Sequence, residues 1–543
     1  MGTERSSSAA SLAELYDEAV RHHMGGRLTD AERLYRQILA VDAAHADALH
    51  MLGLVAHRVG RLDIAAELIG KAIEARPGSA AFHSNMGVVL QDLGRHEAAL
   101  ASYDAALRVA PGNAGAHFNR GNLLNLLGRP EDALASYAAA IHIKPDHAEA
   151  HFNHAKALKD LGRLEEALAS YDALLGIKAD YVEAHFNRGN VESDLGRLDK
   201  ALACYQDALR LKPQLAKAHY SCGNALRELG RFGESVAAYR KALCLEPGSA
   251  EALTNLGSSL FELGQAAEAE AAVRRSLAID AEIVESWNAL LGFVLQDGRM
   301  DEAVEVGRTA LALKDRLTAK PYGDLATVAP PGAPEPGKPW IIAFSLWGRH
   351  QTYVSGALEN AASMRRLFPE WRCRFYCDDS VPLHVREALA GHDAEIVMMP
   401  GSDGFERFAW RFLAASDPGV GRFICRDCDS RPSRREAAAV AEWVASGRSF
   451  HILRDHPKHA DLILAGLWGG VAGVLPDMAG LIADFQFRSK FCDQRFLGEV
   501  VWPRIKTDVL IHDSYYDLFG SRPFPTGPAD PSDHVGMGLK FGG

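Results

Sequence analysis

The stretch RFICRDCDSRP, Arg422 to Pro432, holds two cysteines, two aspartates and three arginines in eleven residues. Three chemistries use such a set. Cys425 and Cys428, spaced Cys-x-x-Cys, would form half of a zinc site, with Cys373 and Cys377 as the other half. A redox pair would need a thiol of lowered pKa at a helix start. Asp427 and Asp429 form an Asp-x-Asp, whose two carboxylates can approach one divalent cation around a strand-end turn. The neighbouring residues weigh against the first two. Cys373 and Cys377 fall in an alternating strand pattern, no glycine turn supports a zinc knuckle, and two aspartates flank Cys428, which raises a thiol's pKa. A plain solvated loop remains the bland reading. If the carboxylates hold Mg²⁺ or Mn²⁺, the chemistry is that of a nucleotide-diphosphate sugar: the cation neutralises the diphosphate as the glycosidic bond breaks.

Something must bring those carboxylates to a ligand. WIIAFSLWG reads as a buried strand, SGALENAASMRRLF as a helix, and WRCRFYCDD as a second strand ending on carboxylates. PLHVREALAG is a short helix with proline at its start, AEIVMMPG a third strand, FERFAWRFLAAS a helix, and RFICRDCD a fourth strand. Such alternation predicts an α/β layer with a parallel sheet, whose ligands bind beyond the carboxyl ends of the strands. Asp378, Asp379, Asp427 and Asp429 all fall at predicted strand ends. No Gly-x-Gly-x-x-Gly follows the first strand and no Walker loop is present, so neither a dinucleotide fingerprint nor a P-loop is expected.

Upstream the pattern changes. Glycine recurs every 34 residues from Gly26 to Gly298, and further columns hold Gly53, Gly87, Gly121, Gly189, Gly223 and Gly257, and Tyr35, Tyr103, Tyr137, Tyr171, Tyr205 and Tyr239. Apolar spacing is helical on both sides of each Leu-Gly-Arg-like turn, which predicts stacked helix pairs. This segment resembles the tetratricopeptide repeat over about nine units. His83, His117, His151, His185 and His219 share the period, but equivalent residues of stacked helical units lie too far apart to ligate one ion, so they read as packing residues. Asn85, Asn119, Asn153, Asn187 and Asn255 form another column. It resembles the asparagine ladder of O-GlcNAc transferase-like superhelices, which implies a peptide groove; solvated asparagines at a permissive position are the alternative. The organisation expected is a disordered start over 1–11, an all-α tetratricopeptide solenoid over 12–318, a proline-rich linker over 319–338 and an α/β domain over 339–543.

FAWRFLAASDPGVGRFICRDCDSR resembles the core of GT-A-type, Rossmann-like glycosyltransferases. It is most similar to bacterial tetratricopeptide-repeat transferases and more distantly to the glycogenin-like group. The resemblance implies that Arg411 contacts the nucleotide and that Asp427 and Asp429 hold the metal. Asp455, in ILRDHPKHADLILAGLWGG, would accept from a sugar hydroxyl, with Gly466 and Gly469 permitting close backbone approach. FCDQRFL supplies Asp493 and Gln494 as catalytic candidates, and VLIHDSYY supplies His512 as third metal ligand, with His534 as the alternative. Ser345 and Asp378 are donor-binding candidates by analogy. Arg426 and Arg431 either grip phosphate or pair with neighbouring acids. Trp347, Trp410 and Trp468 read as core, and His456 and His459 as a surface loop.

The reading that follows is a metal-dependent glycosyltransferase moving a sugar to a protein or glycan acceptor recruited by the repeats. The alternative is a protein-interaction scaffold carrying a degenerate transferase domain. The first 337 residues carry 35 basic against 45 acidic side chains and the remainder 24 against 25, which argues against nucleic-acid binding. No apolar run is long enough to span a membrane, no secretory signal is evident, and the usage of Ala, Arg and Gly suggests a bacterial cytoplasmic protein.

Overall fold

The computed structural model describes residues 2–318, 336–401, 404–454, 456, 459–475, 477–485, 487 and 492–525, with side chains described from residue 12 onward. The chain forms two compact units, Met1–Pro247 and Gly248–Gly543.

The first unit is built of helix pairs, such as Ala80–Asp92 with His96–Val109 and Ala216–Glu228 with Phe232–Leu245. Each pair turns at a glycine held in the left-handed region, as at Gly94 with φ 71°. There the amide of Arg95 donates to the Leu90 carbonyl at 2.8 Å and that of Gly94 to Gln91 at 2.9 Å, which satisfies carbonyls that the helix end would orphan. The second glycine column makes room for the tyrosine column. A Cβ on Gly87 would meet the Tyr103 ring at 2.5 Å, and the pairs Gly121–Tyr137, Gly189–Tyr205 and Gly223–Tyr239 repeat the arrangement. The cost of glycine within a helix is offset by burying a whole aromatic ring.

The histidine column has a specific task. His83, His117, His151 and His219 each donate from Nε2 to the carbonyl of the proline six residues earlier, at 2.8 to 3.0 Å, and His185 donates likewise to Ala179. A carbonyl only accepts, so the Nε2–H tautomer is required. Where the column reaches Trp287 in the second unit, the indole N–H makes the same bond to Ala281 at 2.9 Å. The helix Gly2–Met24 takes in residues 2–11, where a disordered start was expected.

The second unit holds the last repeats together with the C-terminal sheet. Residues 319–335 of the expected linker lie outside the described residues. The last repeat, Val284–Gln296 with Met300–Thr318, departs from the pattern: Leu291 stands at the glycine position and Gly307 at the tyrosine position. A Cβ on Gly307 would meet the ring of Tyr516 at 2.5 Å. Around this contact Arg308 Nε donates to the Tyr516 carbonyl at 3.0 Å, and Trp502 Nε1 and Lys506 Nζ donate to Asp315 Oδ1 at 2.6 and 2.9 Å.

The sheet has seven strands: β1 (Trp340–Leu346), β2 (Trp371–Cys377), β3 (Glu395–Met398), β4 (Arg422–Arg426), β5 (Phe450–Arg454), β6 (Trp468–Val471) and β7 (Val509–Asp513). Their order is β3-β2-β1-β4-β6-β5-β7. The expected parallel sheet is instead mixed, because β6 runs antiparallel to both β4 and β5. Gly469 and Gly470 of β6 allow this close packing: a Cβ on Gly469 would stand 2.5 Å from the Phe423 carbonyl. The predicted helices 355–368 and 382–391 appear as Gln351–Leu367 and Leu383–Gly391, whereas Phe405–Ala415 is a 3₁₀ helix. One core holds Phe344 stacked on Phe375 with centroids 4.7 Å apart, together with Ala357, Met364, Leu389 and Trp443. Among the described residues, no helix is long and apolar enough to cross a membrane.

Candidate functional site

Strand order reverses direction at β1, which pairs with β2 on one side and β4 on the other. In open α/β sheets that switch point opens a crevice beyond the carboxyl ends of the strands. A cavity of about 300 Å³ lies there, lined among others by Ser345, Arg411, Asp427, Asp429, Asp493 and Gln494. Six of the sequence-derived site residues therefore meet in one place.

The turn after β4 is held from three sides. Cys428 points inward, 4% exposed, and its thiol donates to the Ser345 carbonyl at 3.3 Å. Asn360 Nδ2 donates to the Cys428 carbonyl at 3.0 Å, and Gly356 on the same helix leaves room for that carbonyl. With the middle residue turned inward, the flanking aspartates are left on the cavity wall. Gly466 leaves space for the Asp427 carboxylate, which a Cβ there would strike. Cys425 donates weakly to the Arg411 carbonyl at 3.6 Å. Burial pushes both thiols well above the ordinary range, the opposite of what a redox pair needs.

Arg411 is buried between two acids, with Nη1 2.9 Å from Asp427 Oδ1 and Nη2 3.2 Å from Asp493 Oδ2. Its backbone amide donates to Ser345 Oγ at 2.9 Å. Burial opposes its charge, but Asp427 and Asp493 together raise its pKa. Asp493 is itself raised above the usual carboxylate range, by burial first and by Asp427 as well, against the pull of Arg411. Asp429 is raised by burial and by the neighbouring charge of Asp427. With its amide turned so that both groups are satisfied, Gln494 donates to the Ile463 carbonyl at 2.8 Å and accepts from the Ala465 amide at 3.2 Å, which ties the loop before β6 to the cavity.

The other site expectations fare differently. Arg411 lines the cavity, but its guanidinium is spent on two carboxylates, so it positions them. Asp378 is buried and accepts from the Ser380 amide at 3.0 Å, away from the cavity. Arg426 is fully buried and pairs with Glu436 at 3.1 Å; Arg431 pairs with Glu359 at 2.9 Å. Neither guanidinium reaches the cavity to grip phosphate. His512 lies on β7, three strands from β4, with its Nδ1 2.8 Å from His451 Nε2 and its Nε2 3.3 Å from Glu442. It is fully buried and does not join the two aspartates. Asp455 and His534 lie outside the described residues. Among the described residues no group of three or more His, Cys, Asp or Glu side chains is arranged to hold a metal ion.

The asparagine column sits half-buried on the first helix of each pair. Asn85 Nδ2 is 2.8 Å from His50 Nε2, and Asn153 donates to Asn122 at 2.8 Å, so two of these amides are partly spent on neighbours. Trp410 and Trp468 are core, as expected, but Trp347 lines the cavity with Tyr353 and Phe408. Trp347 packs edge-on to Phe408 at 4.8 Å, with Arg407 5.6 Å over its ring. The signal for Trp347 was its place directly after β1, at the carboxyl end where ligands bind; Tyr353 and Phe408 carried no comparable mark.

Tetratricopeptide-repeat models match residues 16–80, 85–148 and 254–317, and TPR-repeat models match 155–196, 189–226 and 223–264. The chain is a tetratricopeptide-repeat protein, and such solenoids are scaffolds for protein–protein interaction. Similar solved structures include YrrB, described as a TPR protein with an unusual peptide-binding site, at 24% identity over 35% of this chain and 97% of that one, TM-score 0.33. The C-terminal part of a TPR repeat-containing protein from Cytophaga hutchinsonii matches at 14% identity over 44% of this chain and 99% of that one, TM-score 0.41. MamA from Desulfovibrio magneticus RS-1 matches at 19% identity over 31% and 96%, TM-score 0.30. No curated protein matches the chain.

Proposed function

We propose that the C-terminal domain is a GT-A-like glycosyltransferase that takes its sugar from a nucleotide diphosphate and its acceptor through the repeats. The observation that carries this reading is the buried guanidinium of Arg411 between Asp427 and Asp493 at the switch point of the sheet. It prepares a concave, acidic site at the place where an α/β sheet binds nucleotides. The aromatic wall of Trp347, Tyr353 and Phe408 offers a nucleobase a stacking surface.

Asp427 and Asp429 fit a divalent cation as two ligands of an incomplete set, which diphosphate and water oxygens would complete; burial and then the charge of Asp427 raise Asp429, and a cation would offset both. When bound, Mn²⁺ or Mg²⁺ would act as a Lewis acid on the leaving diphosphate. The protein's own groups do the rest. Arg411 fixes the spacing of Asp427 and Asp493, Gln494 fixes the loop before β6, and Asp493, with its raised pKa, is suited to take the acceptor proton if configuration inverts.

The test is release of nucleotide from a panel of nucleotide sugars with Mn²⁺. Turnover is expected for at least one donor, and Asp427→Ala is expected to lower it by about 10²–10³-fold or more. A second reading, a scaffold whose transferase domain has lost activity, draws on the absence of a third metal ligand among the described residues. Failure of the intact protein to bind or turn over any nucleotide sugar would establish it.

A further inference from the structure

A second cavity, of about 620 Å³, lies between the helices of the last repeat and the C-terminal domain. Asn288, Glu285 and Leu317 line it from the repeat, and Leu462, Glu499 and Gln494 from the other side. Gln494 lines the first cavity as well. We propose that this cleft seats an extended, neutral or basic polypeptide whose serine or threonine hydroxyl reaches the candidate site past Gln494. The inference rests on the transferase reading and adds the class and the seat of its acceptor.

The repeats change toward the cleft: the aromatic position is Thr254 in the penultimate repeat and Asn288 in the last. In four earlier repeats the position of Asn288 is aromatic: Phe118, Phe152, Phe186 and Tyr220 each lie 5.8 to 6.2 Å from the tyrosine of the following helix. In the last repeat that tyrosine is Gly307, and the aromatic is replaced by an exposed amide on the cleft wall. An amide offers both donor and acceptor, which is what an extended main chain requires of its partner.

The two cavities also differ in chemistry. Trp347, Tyr353 and Phe408 line the first, whereas among the described residues no aromatic lines the second. Sugar rings pack their C–H faces on aromatic rings, so the second cavity is poorly suited to a glycan. Leu317 and Leu462 suit small apolar side chains instead. Its cations are matched within the wall, Lys314 by Asp461 at 2.6 Å and Arg495 by Glu499 at 2.9 Å, while Glu285 is exposed and adds a negative charge. In the transfer, the peptide hydroxyl oxygen bonds to the anomeric carbon and the bond from that carbon to the diphosphate breaks. The diphosphate leaves with the electron pair, and the hydroxyl proton goes to a carboxylate or phosphate oxygen of the site.

The test uses the full chain with a photoreactive benzophenone side chain in place of Thr318, another residue of the cleft wall, which leaves Asn288 intact. The probes are a library of short synthetic peptides, each with one serine or threonine, and a matched set of oligosaccharides. Peptides, basic over acidic, are expected to be captured on illumination. In transfer assays Asn288→Trp is expected to raise the KM for peptide about tenfold or more, a loss of about 1.4 kcal/mol per tenfold, while the donor KM moves less. The exposed Glu285→Arg is expected to reverse the charge preference, and serves if Asn288→Trp fails to fold. Capture of oligosaccharides, or of nothing, in a protein that releases nucleotide overturns the cleft and leaves the transferase standing. Capture of peptides by a protein that turns over no nucleotide sugar overturns the transferase and upholds the peptide seat.

Discussion

Gly223 and Gly307 occupy the two halves of one lock. In the first unit, a glycine on one helix receives a tyrosine from the next, Tyr239 on Gly223, and the array closes its gaps with its own residues. In the last repeat glycine stands at the tyrosine position and Leu291 at the glycine position, and the ring that fills the space is Tyr516, from beyond β7. One packing solution therefore serves two purposes. Between neighbouring helices it makes a periodic spine; at Gly307 it recruits a different domain. Arg308, Lys314 and Asp315 add polar contacts around that ring which the interior repeats have no reason to make.

Tyr516→Ala removes a fully buried aromatic and is expected to cost the second unit roughly 3–5 kcal/mol, as large-to-small core substitutions of aromatics do. All eight tryptophans lie in the second unit, so tryptophan fluorescence reports it alone while far-UV circular dichroism reports both. The fluorescence midpoint in denaturant should fall and the residual helical transition should not; a uniform fall of both would remove the distinction drawn here.

Paired glycine substitutions sharpen it. Gly223→Ala and Gly307→Ala each drive a Cβ into a tyrosine ring at 2.5 Å, which overpacking makes worth about 1–3 kcal/mol. The first is expected to shift the dichroism transition and leave fluorescence unchanged, and the second to shift the fluorescence transition and only the part of the dichroism that moves with it. Equal effects on both signals from either variant would show that the two locks are not separate.

A smaller contrast lies in pH. His451 is buried against His512, and burial, with the neighbouring ring adding, holds its pKa well below the usual histidine range. It stays neutral in the folded protein while the unfolded chain takes up a proton near pH 6.5. Stability from this group is thus complete above that pH and is lost as pH falls through it. Denaturation followed by fluorescence at pH 7, 6 and 5 should show the second unit losing about 1–2 kcal/mol. Constant stability over that window would mean that His451 is protonated in the fold.

Much of this architecture was legible because its signals are local or periodic. The 34-residue glycine and tyrosine columns mark the repeats, and the alternation around RFICRDCDSR marks β4 and its acidic turn. What was hidden depends on contacts far apart in the chain. Nothing in the sequence near Gly307 says that Tyr516 will fill its place. The same limit applies to the site. Asp427, Asp429 and Asp493 were found from their neighbours, but the fate of Arg426 depends on Glu436 in the following helix, and that of His512 on where β7 enters the sheet. The reversed β6 was missed because Gly469, read as a ligand-approach position, in fact admits the backbone of β4, while Gly470 admits the rings of Phe423 and Phe450.

The exchange at Gly307 also gives the array a direction of growth. A duplicated 34-residue segment inserted among the interior repeats would carry its own glycine and its own tyrosine, and could be accommodated without redesign. A copy added after Thr318 would set a further repeat between Gly307 and the ring that fills its place.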